Sequence, residues 1–241
     1  MRFRDHRVVG DILELTARYR SEGADELVFY DISASPAGRV AECAWVRRVA
    51  RLLDIPFCVA GGIRSVADAE ALLNAGADKI SVNSPALANP ALIDALARRF
   101  GSQCVVVGID SHASAAGQHA WRLSGDPRRA GDAGREVLGW VREVQARGAG
   151  EIVLNCMGSD GSRAGYDIEQ LAATRAVCRV PLVASGGAGA SEHFRDVFLE
   201  AGVDAALADS VFHSGEIRIL DLKRTLHAAG VRVRPADQEL T

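Results

Sequence analysis

The chain repeats itself. Ile55-Pro-Phe-Cys-Val-Ala-Gly-Gly-Ile63 returns as Val180-Pro-Leu-Val-Ala-Ser-Gly-Gly-Ala188, so Val180 stands 125 positions after Ile55. The same offset pairs Gly23-Ala-Asp-Glu-Leu-Val-Phe29 with Gly148-Ala-Gly-Glu-Ile-Val-Leu154, and Ala75-Gly-Ala-Asp78 recurs one position later as Ala201-Gly-Val-Asp204. Self-similarity at a fixed spacing makes each half one structural unit. Each unit alternates short apolar runs with amphipathic helical stretches, the pattern of a parallel sheet covered by helices in the α/β class. Two such units closed on one another make a (β/α)8 TIM-type barrel. We expect one domain over residues 1–241, with half-repeats at about 1–102 and 103–234 and a frayed tail at 235–241.

Each half carries an apolar strand that runs into paired glycines. Such a turn lets backbone N–H groups come close to an anion, and the start of the next helix adds favourable partial charge. Two copies in register point to a ligand with two phosphates. Ser65 and Ser191 follow the turns and are candidate N-caps of the next helices.

Composition excludes several classes. Acidic and basic residues are interspersed around a formal charge of −3, and pairs such as Arg47-Arg48 form no stripe for nucleic acid. Cys43, Cys58, Cys104, Cys156 and Cys178 lack disulfide or metal spacing, which reads as a reducing, cytoplasmic setting. His193 and His213 have no partner at zinc-ligand spacing, and no metal or cofactor is expected. No apolar run approaches the ~20 residues of a membrane span, and MRFRDHRVVG is not a signal peptide.

Strands are expected near Glu26 to Asp31, Phe57 to Ala60, Lys79 to Val82, Cys104 to Asp110, Glu151 to Asn155, Leu182 to Ala184 and Ala205 to Ala208. Helical spacing marks Ile12, Leu15 and Tyr19; Val66, Ala69 and Leu72; Val137, Val141 and Val144; Ile219, Leu222 and Leu226. The strand that ends at Asp110 opens the second half, and its counterpart in the first half would precede Met1. The expectation is therefore a barrel whose first strand is missing from this chain, through a late start rather than a naturally shortened fold. A barrel short of one strand leaves two edges unpaired.

The segments GADELVFYDISAS, VAGGIRS, DKISVNSPAL, RFGSQCVVVGIDS, RGAGEIVLN, DGSRAGYD, ASGGAG and SVFHSGEI occur in family order over residues 3 to 234. In these the chain closely resembles the cyclase subunits of imidazole glycerol phosphate synthase. The resemblance implies a lyase of glutamine-amidotransferase type in histidine biosynthesis. Ammonia from a glutaminase partner, bound as a heterodimer, converts a bisphosphorylated formimino-aminoimidazole carboxamide ribonucleotide. The products are imidazole glycerol phosphate and an aminoimidazole carboxamide ribonucleotide.

Asp110 closes the run VVVGID and so falls at the C-terminal rim where barrel enzymes do chemistry. From the residues alone it is either a turn-capping carboxylate or a general acid or base; the resemblance makes it one of two catalytic aspartates. The other, and a lysine in its loop, would lie on the missing strand, so the chain as written is expected to be impaired. Resemblance also assigns Gly62, Asn83 and Ser84 to one phosphate and Gly161, Gly187 and Ser210 to the other. Asp31 and Asp160 order loops or contact ligand hydroxyls. Glu26, Lys79 and Glu151, at strand starts, are either ordinary solvated charges or three members of a gate through which ammonia enters; the gate's arginine would again be on the missing strand.

Asp209 departs from the family pattern, because a small apolar residue usually precedes the phosphate-binding serine and the repeat aligns this carboxylate with Asn83. Gly158, where relatives carry an acidic or amide side chain, is a milder departure. Two alternatives stand beside the cyclase: the sister isomerase of the phosphoribosylformimino intermediate, which needs no ammonia, and a non-catalytic barrel that binds a phosphorylated ligand or the glutaminase.

Overall fold

The computed structural model describes residues 8–32, 34, 38–114, 117–124 and 128–234. The tail 235–241 lies outside them.

Seven parallel strands form the body of one sheet, in the order of the sequence: β1 (Leu27–Tyr30), β2 (Phe57–Ala60), β3 (Lys79–Val82), β4 (Val105–Ser114), β7 (Glu151–Cys156), β8 (Leu182–Ser185) and β9 (Ala205–Leu207). A hairpin, β5 (Gly117–Arg122) and β6 (Gly131–Glu136), hangs from the long end of β4 and runs antiparallel to it. The sequence pattern anticipates the parallel strands and misses the hairpin. Strand β4 also runs past Asp110 to Ser114, so the rim carboxylate sits inside a strand rather than at its end.

Period-two alternation separates two cores. Cys58, Val106 and Val153 point inward and pack with Val28 and Val183 as the barrel lining. Their neighbours Phe57, Val59, Val105, Val107, Ile152 and Leu154 point outward into the main core. All four residues of β2 are buried, as expected for a parallel strand covered on both faces. Burial of each such side chain stabilises the fold by about 1.5–3 kcal/mol.

The outer layer comes from helices whose apolar faces meet these side chains. Helix α3 (Val66–Asn74) buries Ala69 and Leu72, α5 (Ala91–Phe100) buries Leu92, Ile93 and Leu96, and α6 (Val137–Ala146) buries Val137, Trp140, Val141 and Val144. Ser65 caps α3 by accepting from Asp68 N–H at 3.1 Å. Ser191 does not cap its helix, α8 (Ser191–Ala201). Ala190 holds the N-cap position there, and His193 Nδ1 accepts from the N–H groups of Gly189 and Ala190 at 3.1 and 3.2 Å. An imidazole three residues along reaches back where a serine at the first helical position does not.

The halves join where β3 pairs with β4, Ile80 opposite Val105. Among the described residues β9 and β1 share no ladder, so the sheet is open there. Helix α1 (Ile12–Ser21) spans the gap with side chains. Asp11 caps it at Leu13 N–H (2.8 Å), Arg18 donates to the carbonyl of Phe212, and Tyr19 hydroxyl is hydrogen-bonded to His213 Nδ1. Helix α10 (Ile219–Ala228) adds Lys223 to Asp25 at 2.7 Å. No helix among the described residues is long and apolar enough to cross a membrane.

Candidate active site

The two Gly-Gly turns are nearly superposable in what they require. Gly62 (φ +69) lies so close to the chain after β1 that a Cβ would strike the carbonyl oxygen of Arg39. Gly187 (φ +112) has the same relation to the carbonyl oxygen of Gly165. Positive φ and a backbone crossing together leave room for hydrogen only. Each turn is thus pinned to the loop that follows the preceding strand of its own half, and Gly165 N–H donates to Gly187 C=O at 2.9 Å.

Beyond each turn the next strand ends in a short helix: Asn83 precedes α4 (Ser84–Ala88), and Asp209 precedes α9 (Ser210–His213). Their backbones are similar, φ −133 and ψ −92 against φ −122 and ψ −62. Their side chains are not. Asn83 turns inward and donates to Asp110 Oδ2 at 2.7 Å. Asp209 folds back and accepts from Ser210 N–H, occupying a donor that its twin site leaves open.

Asp110 is held from three elements. Asn83 Nδ2 and Ser124 Oγ donate to Oδ2 at 2.7 and 2.5 Å, and Asn155 Nδ2 donates to Oδ1 at 2.9 Å. Burial pushes the Asp110 carboxyl above the usual carboxylate range, against the hydrogen bonds from Ser124, Asn155 and Asn83 that favour the charged form. Asn155 Oδ1 in turn accepts from Ser185 Oγ at 3.3 Å, whereas Asn83 Oδ1 is buried without a partner among the described residues. A buried acceptor left open beside a carboxylate is suited to a ligand N–H or O–H.

A cavity of about 1210 Å³ is lined at this mouth by Asn83, Ser84, Asp110, Asp160 and Asp209. Asp160 is pushed up by burial first and then by the carboxylates of Asp209 and Asp110, while a hydrogen bond from Gly161 N–H opposes the shift. Asp31 also lines the cavity, and Arg39 grips its two oxygens at 2.7 and 3.2 Å, which orders the loop that carries the Gly62 contact. The cavity reaches Glu26 and Glu151 at the opposite end of the strands. There Lys79 Nζ lies 2.7 Å from both Glu26 Oε2 and Glu151 Oε2. Burial raises Glu26 despite the bond from Lys79. The same two carboxylates keep Lys79 raised although burial alone would lower it.

The structure therefore gathers Gly62, Asn83, Ser84, Asp110 and Asp160 around one mouth and Glu26, Lys79 and Glu151 at the other end; Gly187 follows β8 and Ser210 opens α9 on the mouth side of the sheet, but neither lines the cavity, and nor does Gly161. Sequence reasoning missed Asn155 and Ser124. Asn155 was within reach, since it is the last residue of the expected strand Glu151 to Asn155; in the structure it stands on β7 in register with Asp110. Ser124 carries no such signal, because only the unexpected hairpin returns it to the mouth. Among the described residues no three His, Cys, Asp or Glu side chains stand together as a metal site would need.

A parallel α/β sheet of the barrel type, with twin glycine turns and one buried rim carboxylate at one end, defines the class: a (β/α)-barrel enzyme. The chain belongs to the histidine biosynthesis protein family, whose profile matches residues 1–218. It is 62% identical over 237 residues to imidazole glycerol phosphate synthase subunit HisF of Xanthomonas campestris pv. campestris (strain 8004), covering 97% of this chain and 91% of the relative. The same subunit of Xylella fastidiosa (strain M12) is 62% identical with the same coverage. That of Aeromonas hydrophila subsp. hydrophila is 61% identical over 236 residues, 97% of this chain and 92% of the relative.

Proposed function

We propose that this chain is the cyclase subunit of imidazole glycerol phosphate synthase and that Asp110 is its acid-base group. The observation that carries the reading is the buried Asp110 carboxylate, clamped by three donors between two matched glycine turns. Adding ammonia, eliminating the aminoimidazole product and closing an imidazole ring each move a proton. A carboxyl held above its usual range is a stronger base in its charged form, suited to taking up and returning such protons.

In this reading Gly62, Asn83 and Ser84 hold one phosphate, and Gly161, Gly187 and Ser210 the other. Asp160 meets ligand hydroxyls. Ammonia from a docked glutaminase subunit enters between Glu26, Lys79 and Glu151, supported by the cavity that reaches from this cluster to Asp110. The chain acts as one domain of two half-repeats, and its five unpaired cysteines support a cytoplasmic setting.

The test is turnover of the bisphosphorylated ribonucleotide with ammonium as nitrogen source. Ammonium-dependent release of imidazole glycerol phosphate, abolished in Asp110→Asn, supports the reading. Rearrangement of the earlier isomer without ammonia would assign the chain to the sister isomerase, and an active Asp110→Asn would remove Asp110 from the chemistry.

A further inference from the structure

The hairpin absent from the sequence reading ends in an unusual corner. Strand β4 continues beyond the rim, the chain reverses, and β5 returns with Trp121 opposite Asp110. Strand β5 ends at Arg122, and the two residues that follow it, Leu123 and Ser124, fall back over the mouth. Leu123 takes φ +52, one of only two non-glycine residues with positive φ among those described. For a γ-branched residue this left-handed conformation costs about 1 kcal/mol, so its surroundings must hold it there.

Two hydrogen bonds do so. Leu123 N–H donates to Ser84 Oγ at 2.8 Å, which leaves the Ser84 hydroxyl proton free to donate into the cradle. Ser124 Oγ donates to Asp110 Oδ2 at 2.5 Å. Adjacent residues of one loop thus reach a phosphate-cradle side chain and the acid-base carboxylate. Of the three donors to Asp110, Asn83 and Asn155 stand at the ends of parallel strands; Ser124 alone comes from outside the barrel wall.

We propose that Ser124 is a positioning residue for the reaction: anchored through Leu123 to Ser84, it fixes the Asp110 carboxylate in one orientation and favours its charged form, so the first phosphate cradle and the acid-base group share one support. The inference rests on the assignment of Asp110 above. Its chemistry is general, since a carboxylate that must both accept and release a proton works best with its free oxygen aimed at the substrate. Here Oδ2 carries two donors and Oδ1 one, which leaves Oδ1 the more open face. Asp160 across the mouth and Tyr30 on β1 are titratable groups that feel Asp110, and both are unchanged in every variant below.

Ser124 is half-buried in a surface corner, so substitution there is compatible with folding. The experiment compares the full chain with Ser124→Ala and Ser124→Thr, reading the Asp110 side-chain carboxyl by carbon NMR across pH, with the signal assigned by its loss in Asp110→Asn. This readout needs no turnover. Ser124→Ala should move the Asp110 midpoint upward, because a donor to the charged form is gone, and Ser124→Thr should restore it. In ammonium-dependent turnover Ser124→Ala should lower kcat about tenfold, the rate equivalent of one charge-assisted hydrogen bond, with KM little changed. An unmoved midpoint in Ser124→Ala, or a Thr variant displaced as far as the Ala variant, overturns the proposal. If Asp110→Asn keeps full turnover while Ser124→Ala still moves the midpoint, the contact is real and the function assigned to Asp110 is what fails.

Discussion

Replacing Asp209 by alanine should tighten binding of the bisphosphorylated substrate. In the structure its carboxylate accepts from Ser210 N–H, one of the donors proposed for the second phosphate. A phosphate that uses the same N–H brings its charge to about 4 Å from the carboxylate. At that separation repulsion is about 1 kcal/mol with full water screening and about 4 kcal/mol at an effective dielectric near 20. Asp209 and Ser210 are exposed, which puts the value toward the lower end, about 1–2 kcal/mol, or a roughly 5- to 30-fold gain in affinity. Calorimetric titration at low and high salt measures it. The gain should shrink as salt rises, and Asp209→Asn, which matches Asn83 in the other half, should reproduce it. Equal or weaker binding by Asp209→Ala, or a gain that ignores salt, would refute the electrostatic argument.

Asp110→Asn should cut ammonium-dependent turnover by about 100- to 10,000-fold, the range of a lost acid-base group, measured at saturating substrate. The same variant should melt higher than the parent at pH 7. The folded-state pKa of Asp110 lies above its unfolded value, so the stability it contributes is fully present below about pH 4 and lost as pH rises through the folded value; thermal melts from pH 4 to 8 should show the advantage of Asn growing with pH. Gly62→Ala combines φ +69 with a clash into Arg39 C=O and should cost about 2 kcal/mol or more, a Tm fall of roughly 4–8 °C. Lys79→Met leaves Glu26 and Glu151 facing each other and should destabilise by about 1–3 kcal/mol at pH 8, with the loss shrinking toward pH 4 as Glu26, which burial already raises, takes up a proton. Denaturant melts at both pH values check the sign.

What the sequence made legible was what burial and turn chemistry write into it. Strands Phe57–Ala60 and Lys79–Val82 can be read to the residue, because Pro56 and Gly61 bracket an unbroken apolar run in the first, and Asp78 and Asn83 bracket the second, where Ile80 and Val82 alternate with Lys79 and Ser81. The hairpin could not be read that way. Gly117–Arg122 and Gly131–Glu136 are polar on most positions and bury only Ala120, so their pairing is specified by neighbours and not by a hydrophobic period. Ser124 was lost with them. Asp209 was visible as a misfit against Asn83, yet its direction was not, since nothing in a sequence distinguishes a carboxylate that turns away from one that caps the next N–H. The repeat located both cradles but concealed this difference.

The open side of the sheet has a dynamic consequence. Leu27 and Asp31 donate to Pro56 and Ala60 on the β2 side, and alternation turns the amides of Val28 and Tyr30 toward the gap facing β9. Among the described residues the halves are then hinged along one backbone spine at β3 and β4, while the far side is held by a clasp of side chains: Arg18 on Phe212, Tyr19 on His213 and Lys223 on Asp25. A clasp opens one contact at a time, a ladder only as a unit. Amide exchange should therefore be quickest along β1 and β9 and slowest in β4 and β7, and breathing of the molecule should widen the mouth sideways, at Asp209, before it disturbs Asp110.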